Sequence, residues 1–248
     1  MRKGRIRFNS NEPPLAILQR CGGYYECPTD PDGKHLGPMV GYAGEYAPGM
    51  HWVGYVYANF AKAEAQPSVL QHYCVGLREL MLYSPLEEVD VFCGAPLGGM
   101  ATAYQLALLF DCQYGFAEKK VLKAAADGQR EESKLVFGRH EVDAGDNVII
   151  VEDVCNNFST TEELLRLIKK AGGNVLAIVT LLNRSATVAD VYYSPCGGTI
   201  PVVSMVTKPI PQYRQDDPRV SATIAAGNVV WKPKAEWDRL MTAMNAVK

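Results

Sequence analysis

The chain has 248 residues, 48% of them hydrophobic, which suffices for one large domain or for one domain with a small accessory subdomain. Lys and Arg total 25 against 27 Asp and Glu, and this formal net charge of −2 argues against a nucleic-acid or anionic-membrane binder. No apolar run approaches the roughly 18 residues that a membrane span needs, and no apolar segment follows the basic start, MRKGRIRFNS. We therefore expect a soluble, cytoplasmic protein without nucleic-acid or membrane partners.

The cysteines and histidines lack the spacing of a metal site or a disulfide framework. The sequence contains no CxxC pair, and no His lies at zinc-finger distance from a Cys. We expect free thiols in a reducing compartment and no structural metal. The seven cysteines are Cys21, Cys27, Cys74, Cys93, Cys112, Cys155 and Cys196.

The first 65 residues differ in composition from the rest of the chain. Residues 9–65 carry many Gly, Pro and Tyr, a composition that predicts turns and short antiparallel strands. We expect residues 1–65 to form a small N-terminal cap, or hood. No internal repeat or low-complexity linker follows it.

From residue 66 to residue 210, helical and strand-like segments alternate. The segments with helical spacing are 66–82, 97–110 and 159–173, and the apolar strand-like segments are 88–95, 112–120, 134–142, 147–153, 174–184 and 197–209. Continuous apolar strands joined by helices are typical of a parallel sheet covered on both faces. We predict an α/β core over 66–210, followed by an extension, 211–248, whose amphipathic final helix packs on the core or the hood.

Two adjacent acids end the strand-like segment NVIIVED, residues 147–153. Ligands of parallel sheets bind beyond the carboxyl ends of the strands, where Glu152 and Asp153 are predicted to lie. The following loop opens a helix whose free N–H groups, with the hydroxyls of Ser159, Thr160 and Thr161, suit an anion. Carboxylates beside an anion site indicate a ligand with both hydroxyls and phosphate, such as a sugar phosphate.

A purely structural interpretation of this stretch stays open. Ser159 or Thr160 would cap the helix, Glu162 or Glu163 would complete a capping box, and the acidic pair would be solvated charges at a strand end. The two familiar nucleotide-binding loops, GxGxxG and GxxxxGK[ST], are absent.

A second glycine-containing loop follows another predicted strand. In CGAPLGGMATA, residues Gly94, Gly98 and Gly99 allow close backbone approach at the start of a helix, either for tight packing or for a second anion. Between the two loops lies a polar stretch, which is either a solvated face or a mobile lid that brings cations to a pyrophosphate. Its cationic residues are Lys119, Lys120, Lys123 and Arg130.

Taken together, these segments resemble the type I phosphoribosyltransferase family over about residues 85–208. VIIVEDVCNNFST resembles the family's phosphoribosyl pyrophosphate (PRPP) motif, and GAPLGG resembles its pyrophosphate loop. FAEKKVLKAAADG resembles its flexible lysine-bearing lid, and VTLLNRS the strand that ends in a base-binding Arg. The pattern is most similar to the members that use orotate. The resemblance implies a parallel central sheet with helices on both faces and a small N-terminal hood.

The resemblance also implies roles for individual residues. Asp153, Lys119 and Lys123 match the catalytic positions, and Arg184 with Asn156 matches the base-binding ones. The PRPP-binding positions are Leu97, Gly98, Gly99, Glu152, Asp153, Asn156, Asn157, Phe158, Ser159 and Thr160. No residue is expected to bind a metal directly. Mg²⁺ would be held through PRPP, near the two acids.

The chain differs from the family pattern at five positions. Phe158 replaces a usual Gly, which suggests a reshaped phosphate pocket, and Asn156 and Asn157 replace Thr–Thr or Thr–Ala. Pro31 stands where an orotate-contacting Lys is expected, and Glu118 where a lid Arg is expected.

The implied activity is transfer of the 5-phosphoribosyl group from PRPP to orotate with release of pyrophosphate, a step of pyrimidine nucleotide synthesis. The implied assembly is a homodimer in which each subunit's lid serves the neighbouring site. Two alternatives stay open: a phosphoribosyltransferase for another base or acceptor, and a non-catalytic regulator that binds PRPP.

Overall fold

The computed structural model describes residues 9, 12–84, 88–123 and 132–246, without the side chains of 123 and 132. The chain divides into two compact units, one from Met1–Ala65 with Ile210–Lys248 and the other from Gln66–Pro209. Within the described ranges, no helix combines the length and hydropathy that crossing a bilayer requires.

The described elements are seven helices and thirteen strands. The helices are α1 Pro14–Arg20, α2 Ala61–Glu64, α3 Pro67–Leu82, α4 Gly99–Phe110, α5 Ser159–Ala171, α6 Ser221–Ala225 and α7 Trp237–Asn245. The strands are β1 Tyr24–Glu26, β2 Met39–Ala47, β3 Met50–Gly54, β4 Val56–Ala58, β5 Val91–Gly94, β6 Gln113–Phe116, β7 Glu118–Lys123, β8 Glu132–Val136, β9 Asn147–Cys155, β10 Asn174–Asn183, β11 Val191–Tyr193, β12 Thr199–Thr207 and β13 Val229–Val230.

The first unit is built from short strands and the C-terminal helix. Strand β2 pairs antiparallel with β3 and parallel with β13, and β1 pairs antiparallel with β4. Helix α7 buries Trp237, Leu240 and Met244, a spacing of three and four residues that puts them on one face. The Trp237 indole N–H donates to the carbonyl of Gly22 at 2.8 Å. The C-terminal helix thus packs with strands from the start of the chain.

The second unit is centred on a six-stranded sheet in the order β11-β12-β10-β9-β5-β6. Strands β12, β10, β9, β5 and β6 are mutually parallel, and β11 pairs antiparallel with β12 at one edge. The predicted α/β fold with a mostly parallel central sheet is therefore confirmed.

Helices cover both faces of this sheet. The chain runs outward from β5 through α4 to β6, then returns to β9 on the other side of β5 and continues through α5 to β10. Because parallel crossovers are right-handed, these opposite directions place α4 and α5 on opposite faces. Val148 and Ile150 of β9 accordingly pack with Leu164, Leu165 and Ile168 of α5 in one core cluster.

The segment predicted as one strand over 112–120 forms two. Strand β6 ends at Phe116 in the main sheet, and β7 pairs antiparallel with β8 in a separate two-stranded hairpin. The switch occurs at Ala117, whose buried N–H donates to the carbonyl of Gly94 at 3.4 Å. Residues 124–131 of the predicted lid, Arg130 among them, lie outside the described residues.

Candidate active site

The crevice at the carboxyl ends of β5 and β9 is where the order of strands reverses. Strand β5 is the first of the sheet along the chain, and it lies between the second, β6, and the third, β9. Helices that leave β5 and β9 go to opposite faces, so the loops after these strands diverge and leave an opening. These loops are residues 95–98 and 156–158, the two segments in which the sequence predicts anion sites.

Strand β9 continues two residues beyond its predicted end and holds both acids within the sheet. Glu152 is aligned with Thr180 of β10, and the Thr180 hydroxyl donates to the carbonyl of Asp153 at 3.2 Å. One carboxylate oxygen of Asp153, Oδ1, accepts the N–H of Val154 at 2.8 Å. Both acids are half-buried. Strand pairing therefore fixes the backbone of both acids at the carboxyl end of β9.

The loop after β5 lies directly against these acids. A methyl group built on Gly98 would overlap the Asp153 carboxylate, and one built on Gly99 would overlap the carbonyl oxygen of Val151. The Ala95 N–H donates to that same Val151 oxygen at 2.8 Å. The glycines thus permit an approach that a side chain would block, and the structure brings the predicted pyrophosphate loop and the acidic pair together.

Leu97, at the tip of this loop, is 82% exposed. The peptide bond between Pro96 and Leu97 is cis. Helix α4 begins two residues later, at Gly99, so its first turn lies at the crevice. The positive end of the helix dipole favours a negatively charged ligand at this place.

The start of α5 is capped differently from the predicted capping box. The Asn157 amide oxygen Oδ1 accepts from the Ser159 hydroxyl at 3.0 Å and from the Ser159 N–H at 3.2 Å. The N-cap position is Phe158, and it makes no side-chain capping bond. The prediction that Ser159 or Thr160 caps the helix with Glu162 or Glu163 is therefore wrong.

The two glutamates bind elsewhere. Glu163 accepts the backbone N–H of Leu135 at 2.6 Å and so attaches strand β8 to α5. Glu162 is only 8% exposed and accepts from the hydroxyls of Tyr192 at 3.0 Å and Ser194 at 2.8 Å. No local pattern indicates this pairing, because Tyr192 is 30 residues away in the chain.

Phe158 turns its ring away from the phosphate loop. Its φ of 58° lies in the left-handed region, which for a residue with a side chain costs roughly 1–2 kcal/mol. The residue is 3% exposed and belongs to the core cluster, where its ring stacks on Tyr192 at 4.9 Å between centroids and 13° between planes. The Phe158 ring therefore packs in the core, and a reshaped phosphate pocket stays a prediction.

The other loop residues differ in exposure. Asn156 and Thr160 are half-buried, whereas Asn157 and Ser159 are exposed. Cys155 is buried just below them, and burial, with a smaller contribution from the charge of Glu152, raises the pKa of its thiol to about 12. A thiol with that pKa is protonated at neutral pH, so Cys155 is a packing residue rather than a nucleophile.

The base-binding candidate Arg184 directly follows β10. Its N–H donates to the carbonyl of Cys155 at 2.8 Å, which places it beside the residue that precedes Asn156. The side-chain amide of Asn183 donates to the carbonyls of Val188 and Ala189, both at 2.9 Å, and holds the turn that follows. Arg184 is 7% exposed, so contact between its guanidinium group and a ligand requires a small rearrangement.

The catalytic candidate Lys119 lies on β7, in the hairpin that starts beside Gly94. It is exposed, and it is aligned with Leu135 across the hairpin. For Lys123 the structure describes the backbone only, at the end of β7. The hairpin thus leaves the sheet at the crevice, two residues before Lys119.

Within the described ranges, no group of three or more His, Cys, Asp or Glu residues is arranged to hold a metal ion. The crevice offers two carboxylates, Glu152 and Asp153. Carboxylate oxygens suit Mg²⁺, which commonly keeps several waters and binds one or two carboxylates together with the phosphates of a substrate.

The sequence is similar to those of known proteins. A family model described as "Phosphoribosyl transferase domain" matches residues 82–215. The orotate phosphoribosyltransferase of Caldicellulosiruptor saccharolyticus is 27% identical over 161 residues, 65% of this chain and 74% of that protein. The protein of the same name from Carboxydothermus hydrogenoformans is 29% identical over 135 residues, 54% of this chain and 64% of its own length. The chain therefore spans slightly less than two thirds of this second relative.

A solved structure also matches. The crystal structure of orotate phosphoribosyltransferase from Aeropyrum pernix has a TM-score of 0.47 and 16% identity, and the match covers 77% of this chain and 92% of that one.

Proposed function

Because the family model spans more than half of its residues, the chain belongs to the phosphoribosyl transferase family, and we propose that it transfers the 5-phosphoribosyl group from PRPP to orotate. Members of this family are enzymes of the pentosyltransferase class. The observation that carries the proposal is the contact between the Gly98 loop and the Asp153 carboxylate, at the point where the strand order reverses. The names of the curated relatives support orotate as the acceptor.

In this proposal each loop binds one part of PRPP. Glu152 and Asp153 accept hydrogen bonds from the two vicinal ribose hydroxyls, because ionised carboxylates are acceptors only. The backbone N–H groups of residues 156, 157, 158 and 160, at the positive end of α5, bind the 5′-phosphate, whereas the Ser159 N–H donates to the Asn157 amide oxygen. The loop of Leu97, Gly98 and Gly99 faces the pyrophosphate, with the N–H groups of Leu97 and Gly98 as donors, because the Gly99 N–H donates to the carbonyl of Ala95 at 2.9 Å.

The reaction displaces pyrophosphate from C1 of the ribose. The bond from C1 to the pyrophosphate oxygen breaks, its electron pair leaves with the pyrophosphate, and a ring nitrogen of the base forms the new bond to C1. Positive charge develops on the ribose ring near the carboxylates of Glu152 and Asp153, and negative charge develops on the leaving group. Lys119 and Lys123 would stabilise that negative charge when the lid closes. One such contact is worth about 3 kcal/mol of barrier, or roughly 100-fold in rate.

Mg²⁺ fits this arrangement as a partner of the substrate. Glu152 and Asp153 would hold it through water or through the ribose hydroxyls. When bound, the ion neutralises part of the pyrophosphate charge. The protein's own groups still have to position the ribose, which is the role proposed for Asp153.

Arg184 and Asn156 are proposed to bind the base. Orotate carries a carboxylate, and an arginine can donate two parallel hydrogen bonds to a carboxylate. The Arg184 backbone is held beside Cys155, next to the loop proposed to bind PRPP.

Transfer to a different base is the competing proposal, favoured by Pro31 at the place where the family pattern has a Lys. A non-catalytic regulator that binds PRPP is the third alternative, and the orotate assay described below distinguishes it from an enzyme.

The first test follows PRPP binding and orotate consumption in one sample. PRPP with Mg²⁺ is titrated calorimetrically, orotate is then added, and its ultraviolet absorbance is recorded. Asp153→Asn is expected to weaken PRPP binding and to slow turnover about 100-fold, whereas Glu141→Gln, an exposed carboxylate in the same unit, serves as the matched control. PRPP binding with intact orotate would favour another base, and a full rate in Asp153→Asn would refute the role of that residue.

We also propose a homodimer in which the hairpin of one subunit closes over the crevice of the other. Mixing an inactive Lys119→Ala protein with an inactive Asp153→Asn protein tests this. Random association makes half of the dimers mixed. If the hairpin acts on the neighbouring subunit, one of the two sites in each mixed dimer is intact, so about a quarter of wild-type activity returns. If the hairpin acts on its own subunit, no activity returns.

A further inference from the structure

The conformation of the phosphate loop depends on an unfavourable backbone conformation at Phe158. With φ 58° and ψ 18°, this residue turns the chain from β9 into α5. A residue with a side chain prefers right-handed backbone by roughly tenfold, whereas glycine has no such preference. Surrounding contacts must therefore hold Phe158 in place, and the residues that do so control the loop.

Three residues form a closed circuit of contacts around this position. The Phe158 ring stacks on the Tyr192 ring, the Tyr192 hydroxyl donates to Oε2 of Glu162 at 3.0 Å, and the Glu162 N–H donates to the Phe158 carbonyl at 2.8 Å. Residue 158 is thus contacted both at its ring and at its backbone carbonyl. We call these three residues, Phe158, Tyr192 and Glu162, the loop clamp.

The Glu162 carboxylate is itself held by further groups. The Ser194 hydroxyl donates to Oε2 at 2.8 Å, and Arg166 Nε donates to Oε1 at 3.0 Å. Burial raises the pKa of Glu162, but the hydrogen bonds from Ser194, Arg166 and Tyr192 outweigh it, so the pKa is lowered and the side chain is ionised at neutral pH. A buried charge with this many donors is a rigid anchor for Tyr192.

We propose that Tyr192 and Glu162 are positioning residues for PRPP, which hold Phe158 in the left-handed conformation and thereby keep the loop of residues 156–160 in the conformation that binds the 5′-phosphate. This role rests on the proposed function. The role proposed for both residues is indirect, because Tyr192 is buried in the core cluster with the Phe158 ring and Glu162 is only 8% exposed.

The expected effect follows from the population of the binding-competent loop. The apparent dissociation constant equals the intrinsic constant divided by the fraction of protein in the competent conformation. Without the clamp, Phe158 loses its support and the competent fraction falls by about tenfold. The Kd for PRPP then rises by about tenfold, while turnover at saturating PRPP stays within about twofold because the chemical groups are unchanged.

The test is a cycle of substitutions at positions 158 and 192. PRPP with Mg²⁺ is titrated calorimetrically into the wild type, Tyr192→Leu, Phe158→Gly and the double variant, and kcat and KM are measured for each. Tyr192→Leu is expected to weaken PRPP binding about tenfold with Phe158 present and by less than about twofold in the Phe158→Gly background, because glycine needs no support in this conformation. Tyr193→Leu, at the neighbouring exposed position, is the matched control.

Thermal unfolding shows which variants are folded at the assay temperature. If Tyr192→Leu does not fold, Tyr192→Phe replaces it in the cycle, because it keeps the stacked ring and loses only the hydroxyl. Its expected loss of PRPP affinity in the presence of Phe158 is about threefold.

The outcomes separate this inference from the function on which it rests. Wild-type protein that does not bind PRPP would overturn both. PRPP binding by the wild type with an unchanged Kd in Tyr192→Leu would overturn the clamp alone. If Tyr192→Leu weakens PRPP binding equally in the wild-type and Phe158→Gly backgrounds, Tyr192 acts only on general stability, and the clamp is again overturned.

Discussion

The two adjacent glycines that start α4 provide the sharpest test of the crevice. Both positions lie against β9, but a methyl group would meet a different obstacle at each. At Gly98 it would meet the Asp153 carboxylate, within 2.5 Å of Oδ2. At Gly99 it would overlap the Val151 carbonyl oxygen and lie 2.8 Å from its carbon. A side chain can rotate away from a methyl group, whereas a strand in the middle of a sheet cannot.

For Gly99→Ala we therefore expect a large loss of stability. Overpacking against backbone costs about 2 kcal/mol, and displacing the Val151 oxygen from its hydrogen bond with Ala95 costs about 1 kcal/mol more. For a chain of this size, 3 kcal/mol corresponds to a melting temperature lower by about 6–12 °C.

Gly98→Ala should instead preserve stability and damage the site. Gly98 has φ −66° and ψ −31°, which alanine adopts readily, so stability should change by less than about 1 kcal/mol. The Asp153 carboxylate must move, and a displacement of about 1 Å in a positioning group lowers kcat/KM by roughly 100-fold.

The assay combines thermal unfolding with PRPP calorimetry and steady-state kinetics. Gly115→Ala on β6 is the matched control, because its methyl group would meet only ordinary contacts at 3.6 Å. Equal losses of melting temperature in Gly98→Ala and Gly99→Ala would refute the distinction between side chain and backbone. Wild-type kinetics in Gly98→Ala would refute the placement of Asp153 at the substrate.

Three further expectations follow from the site. Arg184→Ala should raise the KM for orotate by about tenfold or more at nearly unchanged PRPP affinity, because a charge-assisted pair is worth about 1.5–3 kcal/mol; an unchanged KM would move the base elsewhere. Ionised Glu162 should stabilise the fold fully above its unfolded pKa of about 4.3, and this stabilisation should disappear as the pH falls through its lower folded pKa. The melting temperatures of Glu162→Gln and wild type should therefore become equal only below about pH 4. Alkylation at pH 8 followed by mass spectrometry should label exposed Cys196 and spare buried Cys155; rapid labelling of Cys155 would contradict its burial.

Local sequence patterns were sufficient to predict most helices and strands of the α/β unit. The apolar runs and helical spacings predict α3, β5, α4, β9, α5, β10 and β12 within a few residues, because those elements bury their apolar side chains against one sheet. The division of 112–120 into β6 and β7 was not predictable from periodicity. It depends on Ala117, which pairs with Gly94 and turns the chain out of the sheet.

Similarity of motif predicted which residues line the candidate site, but not the contacts that hold them. The two acids that end NVIIVED and the glycines of GAPLGG can be read from the chain because strand ends and helix starts have local signatures. Their contact with one another depends on β5 and β9 being neighbours, which is a property of strand order.

The sequence by itself determined the fold class, the acidic pair and the two glycine-bearing loops, since each follows from residue type and spacing within a short segment. Only the tertiary structure decided the direction of the Phe158 ring and the partner of Glu162. Both depend on Tyr192, which is 30 residues or more away in the chain and reaches α5 only because β11 lies at the edge of the folded sheet. Interactions between distant segments are set by packing, and packing has no signature in a local pattern.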